Sequence, residues 1–179
     1  MNRNTVKVGY RCMPNMSQVI NNHNTKILNT TAQETTPPCN CKQGPQTCPV
    51  NGDCQTRGVI YEATVTTNTG KKESYTGLTS RRFKDRLYEH TSDMNNEGNE
   101  GTSLSNHVWK LKNENTPYKI TWKIITLARS FNPSTKRCNL CLKEKFCIMF
   151  RPGGASLNNR SEFFSTCRHR LKPLLENVE

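Results

Sequence analysis

Long apolar runs are missing from this sequence: no stretch approaches the roughly 18 apolar residues that a membrane-spanning helix needs. The first thirty residues likewise lack the apolar core of a secretory signal. Both absences point to an intracellular protein with no membrane partner. Apolar residues are scarce altogether, 32% of a 179-residue chain. That is low for one packed domain, so part of the chain is expected to be poorly folded or held by something other than a core. Acidic side chains are also short. Against 26 Lys and Arg there are only 14 Asp and Glu, a net charge of +12, which suits a partner made of phosphates better than an acidic or neutral small substrate. Nucleic acid is the first expectation. Five basic and two acidic residues precede position 55, so nine of the twelve excess charges belong to the later part.

What the chain has in quantity is cysteine, nine in all. In a reducing compartment close pairs of cysteines are metal ligands or buried thiols more often than disulfides. The run CNCKQGPQTCPVNGDC places Cys39, Cys41, Cys48 and Cys54 among Gly, Pro, Asn and Asp, a loop that needs cross-linking to hold a shape. Four thiolates could bind zinc there, although the Cys39–Cys41 pair is tighter than ordinary finger spacing. A second possible zinc set is Cys138-x-x-Cys141 with Cys167 and His169. Cys147 reads as a buried small residue. His107 reads as a core histidine, with a mixed Cys and His metal site that borrows it or His90 as the alternative. Cys12 and His23 are too isolated to assign.

Along the chain, residues 1–38 are rich in Asn and Thr and end in Pro37-Pro38, which reads as a flexible linker or tail. Residues 39–54 form the Cys-rich segment, residues 55–171 a folded domain, and residues 172–179 a C-terminal tail. Within the domain Val59, Tyr61, Ala63 and Val65 alternate as a strand should, and Asn68-Thr69-Gly70 turns the chain into a second strand through Tyr75. Thr79 or Ser80 can cap a helix in which Phe83 and Leu87 face inward while Arg82, Arg86 and His90 form a cationic stripe. Leu104, His107, Val108 and Leu111 fit a second helix capped by Thr102 or Ser103. Tyr118, Ile120, Trp122 and Ile124 form a third strand, and residues 138–150 a last helix. The expected fold is α/β of the α+β kind: a small three-stranded antiparallel sheet flanked by helices, behind a Cys-rich N-terminal extension.

In the last helix Leu140, Cys141, Glu144, Cys147 and Ile148 share one face, so a carboxylate projects from the side that should be buried. A buried carboxylate must be paired, protonated or coordinated to a metal. The bland alternative is an ion pair with an arginine from another element. An arginine-bearing helix, a buried carboxylate and hairpin tyrosines are the parts needed to cut a phosphodiester, although each alone is weak: basic helices are usually solvated faces, and strand tyrosines are usually packing.

In order and spacing these residues resemble the GIY-YIG nuclease family. The first motif stands as Val59-Ile60-Tyr61 after Gly58, and the second as Tyr75-Thr76-Gly77. The helix with Arg86 and His90 follows, then Glu144 and Leu157-Asn158-Asn159-Arg160. The resemblance covers about residues 55 to 170. It implies that Tyr61 and Tyr75 position or activate water, Arg86 binds phosphate, His90 assists proton transfer, Glu144 ligates Mg²⁺ or Mn²⁺, and Asn158 supports the site. Arg82, Gly77 and Lys84 are implied at the substrate. The motifs depart from the family pattern with Val for Gly in the first and Thr for Ile in the second. Arg82 is a rival to Arg86, and Asn159 to Asn158.

The runs CPVNGDC, YTGLTSRRFKDR, CNLCLKEK and LNNRSE are further similar to the endonuclease end of Penelope-like retroelement polyproteins, with VGYRCMPNM and NNHNTK similar to the join with the reverse transcriptase. That likeness implies a fragment or truncated copy whose role is nicking target DNA so that the freed 3′ hydroxyl primes reverse transcription. Its partners would be DNA, a reverse transcriptase domain of the parent polyprotein and element RNA, in the nucleus. The rival expectation is a noncatalytic zinc- and nucleic-acid-binding remnant of a mobile element.

Overall fold

The computed structural model describes residues 15–31, 37–42, 44–96, 101–132, 137–153, 155–158, 167 and 169. Cys12, Asn159 and the expected tail at 172–179 lie outside them. The chain divides into two units, Met1–Thr36 and Pro37–Glu179.

In the first unit the expected linker contains a helix, α1 (Met16–Thr31). A reciprocal cap explains its start. The Asn15 side chain accepts from the Gln18 amide at 2.8 Å, and the Gln18 side chain accepts from the Asn15 amide at 3.2 Å, satisfying two amides that a helix start otherwise leaves open. From Asn15 to Thr25 its residues are exposed, so the helix rests on local bonds there and not on a core.

The second unit is an α+β fold built on a three-stranded antiparallel sheet in the order β2-β1-β3. Strand β1 (Arg57–Thr67) is central, β2 (Lys72–Arg82) and β3 (Tyr118–Leu127) flank it, and a two-residue pair, β4 (Phe131–Asn132) with β5 (Arg137–Cys138), follows. Gly58, at φ +63, is the second residue of β1, where the pairing with β2 slips by a residue. A Cβ there would stand 2.5 Å from the Ala128 carbonyl oxygen, a contact only glycine avoids. The helices are α2 (Phe83–Asn95), α3 (Ser103–Asn113) and α4 (Asn139–Phe150).

Alternation along β1 sorts its side chains between two layers. Val59, Tyr61, Ala63 and Val65 join Tyr75 of β2, Phe83 and Met94 of α2, and Leu104, Val108 and Leu111 of α3 in the larger core. On the opposite face Ile60 and Leu78 meet Cys138, Leu140, Cys141 and Cys147 around α4. The hairpin, the second helix, the third strand and the last helix stand where the periodicity predicts them, and Thr102 caps α3 by accepting from the Ser105 amide.

The start of α2 differs from expectation. Neither Thr79 nor Ser80 caps it, because β2 continues to Arg82, paired through Val59↔Thr79 and Arg57↔Arg82. The Thr79 hydroxyl instead accepts from the Arg81 amide at 3.1 Å, and the Phe83 amide donates to the Thr56 carbonyl at 3.0 Å. The expected cationic stripe is correspondingly broken. His90 is fully buried, while Arg82 pairs with Asp85 at 3.1 Å.

The outer edge of β2 is capped by the segment at 155–158. The Leu157 amide donates to the Ser74 carbonyl at 2.9 Å, and the Ser156 hydroxyl accepts from the Ser74 amide at 2.8 Å. Asn158 completes the edge, with Oδ1 accepting from the Thr76 amide and Nδ2 donating to the Thr76 carbonyl, both at 2.7 Å. A side-chain amide thus replaces a strand's peptide. Replacing Asn158 with leucine removes both bonds and is expected to cost roughly 1–3 kcal/mol, measured by urea unfolding, with faster hydrogen exchange at the Thr76 amide. Unchanged stability and exchange would show that the edge holds without it.

Candidate active site and metal centres

The site starts from a long side chain laid across its own sheet. Tyr61 of β1 pairs with Gly77 of β2 and points to the α2 and α3 side. A Cβ at Gly77 would lie 2.5 Å from the Tyr61 hydroxyl oxygen and 3.0 Å from the Tyr75 ring. Only the missing side chain lets Tyr61 reach over β2. Its hydroxyl then sits 2.7 Å from His90 Nε2 and accepts from Arg86 Nε at 3.2 Å. The Tyr75 ring meets His90 edge-on with centroids 5.8 Å apart, and Phe83 and Trp122 enclose the Tyr61 ring.

Arg86 and His90 lie one turn apart on α2, so both reach the same hydroxyl. Glu89 is the member that sequence reasoning missed. Its carboxylate accepts from Arg86 Nη1 at 2.8 Å and is also bonded by Arg81. The signal was present in the spacing, since Arg86 and Glu89 stand three residues apart on a helix.

Electrostatics fix the protonation states. Burial raises the Tyr61 phenol above its ordinary range, with Tyr75 and Glu144 adding to that and Arg86 opposing it. Burial, aided by the Arg86 charge and opposed by Glu89, pushes His90 down to about 3. Burial works against the Glu89 charge, but Arg86 and Arg81 hold its carboxyl below the usual value. Resting Tyr61 is therefore a phenol and His90 a neutral imidazole. His90 Nδ1 is buried with no hydrogen-bond partner among the described residues.

Glu144 is 2% exposed on α4, the layer opposite the tyrosines. Its charge reaches Tyr61, where it opposes ionisation. Asn158 stands at the same stretch of β2, bonded to the residue between Tyr75 and Gly77. Two expected substrate contacts have other partners: Lys84 donates to the Asn40 side chain at 2.7 Å and its carbonyl at 3.2 Å, and Arg82 is held by Asp85. The Lys84 bonds tie the Cys-rich segment to α2. His107 is half-buried, with Nε2 3.1 Å from Glu73, and joins neither metal-type cluster.

Two clusters can hold a metal such as zinc. In the first, Cys39, Cys41, Cys48 and Cys54 bring their sulfurs within 4.8 Å of one another, with Cys39–Cys54 at 3.6 Å and Cys41–Cys54 at 3.9 Å. Sulfurs about 2.3 Å from a tetrahedral zinc lie about 3.8 Å apart, whereas a disulfide needs about 2.0 Å. The tight Cys39–Cys41 pair, doubtful by spacing, closes well because Cys48 and Cys54 arrive on a loop that folds back through two short 3₁₀ turns, Pro45–Thr47 and Asp53–Gln55. Burial disfavours the Cys48 thiolate, but the Val50 and Gly52 amides aimed at its sulfur bring the thiol below its ordinary value. Burial followed by the neighbouring thiols pushes Cys54 up to about 12.

In the second cluster His169 Nδ1 lies 3.3 Å from both Cys138 and Cys141, and Cys167 lies 3.7 Å from Cys141. Thiol and imidazole donors at these separations are a zinc donor set. The cluster clips residues 167 and 169 to the first turn of α4. Cys147 is buried outside it, as expected.

Compared with family models, curated proteins and solved structures, the chain matches none.

Elemental analysis of protein purified with zinc is expected to give two zinc ions per chain, falling to one in Cys48→Ser and in Cys141→Ser. One ion in the unaltered chain would remove a cluster from the metal reading. His90 gives a pH test. The unfolded histidine takes up a proton near 6.5, its folded counterpart only near 3, so its contribution is complete above pH 6.5 and is lost as pH falls toward 3. Over that window it should remove up to about 1.4 kcal/mol per pH unit. Denaturant unfolding at pH 7 and pH 5 should show a smaller loss in His90→Asn, and equal losses would refute the buried neutral state.

Proposed function

We propose that this chain is a metal-dependent DNA endonuclease of the GIY-YIG type. One observation carries the reading: a buried tyrosine hydroxyl held between a neutral histidine and an arginine, above a glycine that leaves the space for it. Packing alone does not require that a buried phenol share a guanidinium and an imidazole, and the arrangement suits water activation beside a phosphate.

Tyr61 is too weak an acid in the resting state to act as a standing phenolate. It works instead as a relay. Its oxygen takes a proton from the attacking water as its own proton shifts along the hydrogen bond toward His90 Nε2, which is unprotonated at neutral pH and so can accept that bond. That relay assigns the resting His90 proton to Nδ1. Arg86 faces the phosphate charge and exchanges part of its pairing with Glu89 for it. Tyr75 packs on His90 and limits its rotation. Asn158 holds the β2 backbone on either side of which Tyr75 and Gly77 stand.

A buried carboxylate is an oxygen donor of the kind a hard divalent ion takes. Glu144 would hold Mg²⁺ or Mn²⁺, which when bound supplies positive charge to the developing phosphorane. The likeness to Penelope-like polyproteins supports a narrower version, in which the cut frees a 3′ hydroxyl for reverse transcription. A reverse transcriptase domain and element RNA would then be partners, and the nucleus the site of action.

Zinc-loaded protein is expected to nick supercoiled plasmid with Mg²⁺ or Mn²⁺. Glu144→Gln, Arg86→Ala and Tyr61→Phe should each lower the rate at least about a hundredfold, in line with the loss of one principal catalytic group, while DNA binding persists. A folded, zinc-loaded chain that binds DNA and never nicks would sink the enzyme. It would leave the zinc- and nucleic-acid-binding module, which the two Cys/His clusters favour.

A further inference from the structure

The second face of the sheet is covered at one end by α4, which carries Glu144, and is exposed at the other. On the α4 side, helix α4 packs over Ile60 and Leu78 and reaches Glu62 through Arg151, whose Nη1 lies 2.7 Å from the carboxylate. Beyond that point strand register sets a polar field. Lys72, Thr66 and Lys119 form one row across the three strands, Ser74, Thr64 and Thr121 the next, and Thr76, Glu62 and Lys123 the third. Lys72, Lys119, Thr121 and Lys123 are exposed and Thr64 and Thr66 half-exposed.

The charge on this field is one-signed. Glu62 is its sole acid in those rows, and Arg151 neutralises it. Among the described residues Lys72, Lys119 and Lys123 have no carboxylate within 4.0 Å, whereas Lys71 pairs with Glu73 at 3.2 Å and Lys110 with Glu114 at 4.0 Å. Alternate residues of a strand stand about 6.7 Å apart and next-but-one strands about 9.5 Å apart. Three ammonium groups therefore occupy an area of roughly ten by thirteen ångströms, with threonine hydroxyls between them that can donate to phosphate oxygens. No aromatic or amide side chain lies in those rows to read a base.

We infer that this open sheet face is a nucleic-acid backbone-binding surface, contacting phosphates without reading sequence, with Lys72, Lys119 and Lys123 as its cations. The chain's excess of twelve positive charges gives the complementary partner. The inference requires nucleic-acid binding and does not require cleavage.

The test is fluorescence anisotropy with a labelled DNA duplex over a KCl series, using the full zinc-loaded chain without Mg²⁺. Lys119→Gln/Lys123→Gln is compared with Lys110→Gln on α3, in the opposite layer. The double variant should bind about tenfold or more weakly and lose close to two units of the slope of log affinity against log salt, roughly 0.9 per phosphate contact removed. The control should match the unaltered chain, and melting temperatures should agree across all three. A double variant with the unaltered slope and affinity overturns the surface. So does equal, lysine-dependent binding of polyglutamate, which would assign the face to an acidic polypeptide. Plasmid nicking is read in parallel. Lysine-dependent binding without nicking keeps this surface and rejects the nuclease, while nicking with an unmoved slope does the reverse.

Discussion

The Tyr61 side chain lying across Gly77 is the constraint around which the second unit is arranged. A strand tyrosine ordinarily stands on its own pleat. Here the ring crosses to the neighbouring strand, which demands that the partner in register have no Cβ and that a helix supply groups able to satisfy a buried hydroxyl. α2 does so with Arg86 and His90, one turn apart, and its place is fixed by Phe83 packed against the same ring. An unsatisfied phenol in this core would carry a desolvation penalty comparable with a substantial share of a domain's net stability. The polar triad and the apolar core are therefore one structure.

The scarcity of apolar residues is met in two ways. The sheet is used on both faces, with one core under α2 and α3 and a smaller one under α4. The loops that a core of this size cannot order are brought to two clusters of soft ligands. The first cluster is continuous with the larger core, where Cys48, Val50 and Cys54 pack with the β1 side chains, and Lys84 and Gln55 both bond Asn40 between its first two cysteines. The second holds residues 167 and 169 at the start of the helix that carries Glu144. Metal at either site would act on the proposed chemistry by fixing the elements that bear it.

Regular elements of the second unit were legible because they rest on short-range pattern. Alternation at Val59, Tyr61, Ala63 and Val65 and helical spacing at Leu104, Val108 and Leu111 follow from the geometry of strand and helix themselves. The boundary at Thr79 was not legible, since a threonine before a helical pattern serves equally well as a cap or as the last paired residues of a strand. Pairing with β1 decided it. In the first unit, α1 was hidden because its start depends on Asn15 and Gln18 bonding each other, which polar composition conceals.

By itself the sequence determined which chemical groups are present and at what intervals: the tyrosines of the hairpin, Arg86 and His90 one turn apart, Glu144 on the inward stripe of its helix, and two sets of soft ligands. Residue types and their intervals along the chain are fixed before folding, and those within one strand or one helix also fix a shared face. Tertiary structure alone decided which of these groups meet. It gave Lys84 to Asn40, brought the Tyr61 hydroxyl to Arg86 and His90, turned Asn158 into a substitute strand, and left a cationic face open beyond α4. Those outcomes depend on register and on layers brought together from distant parts of the chain, and no local spacing encodes them.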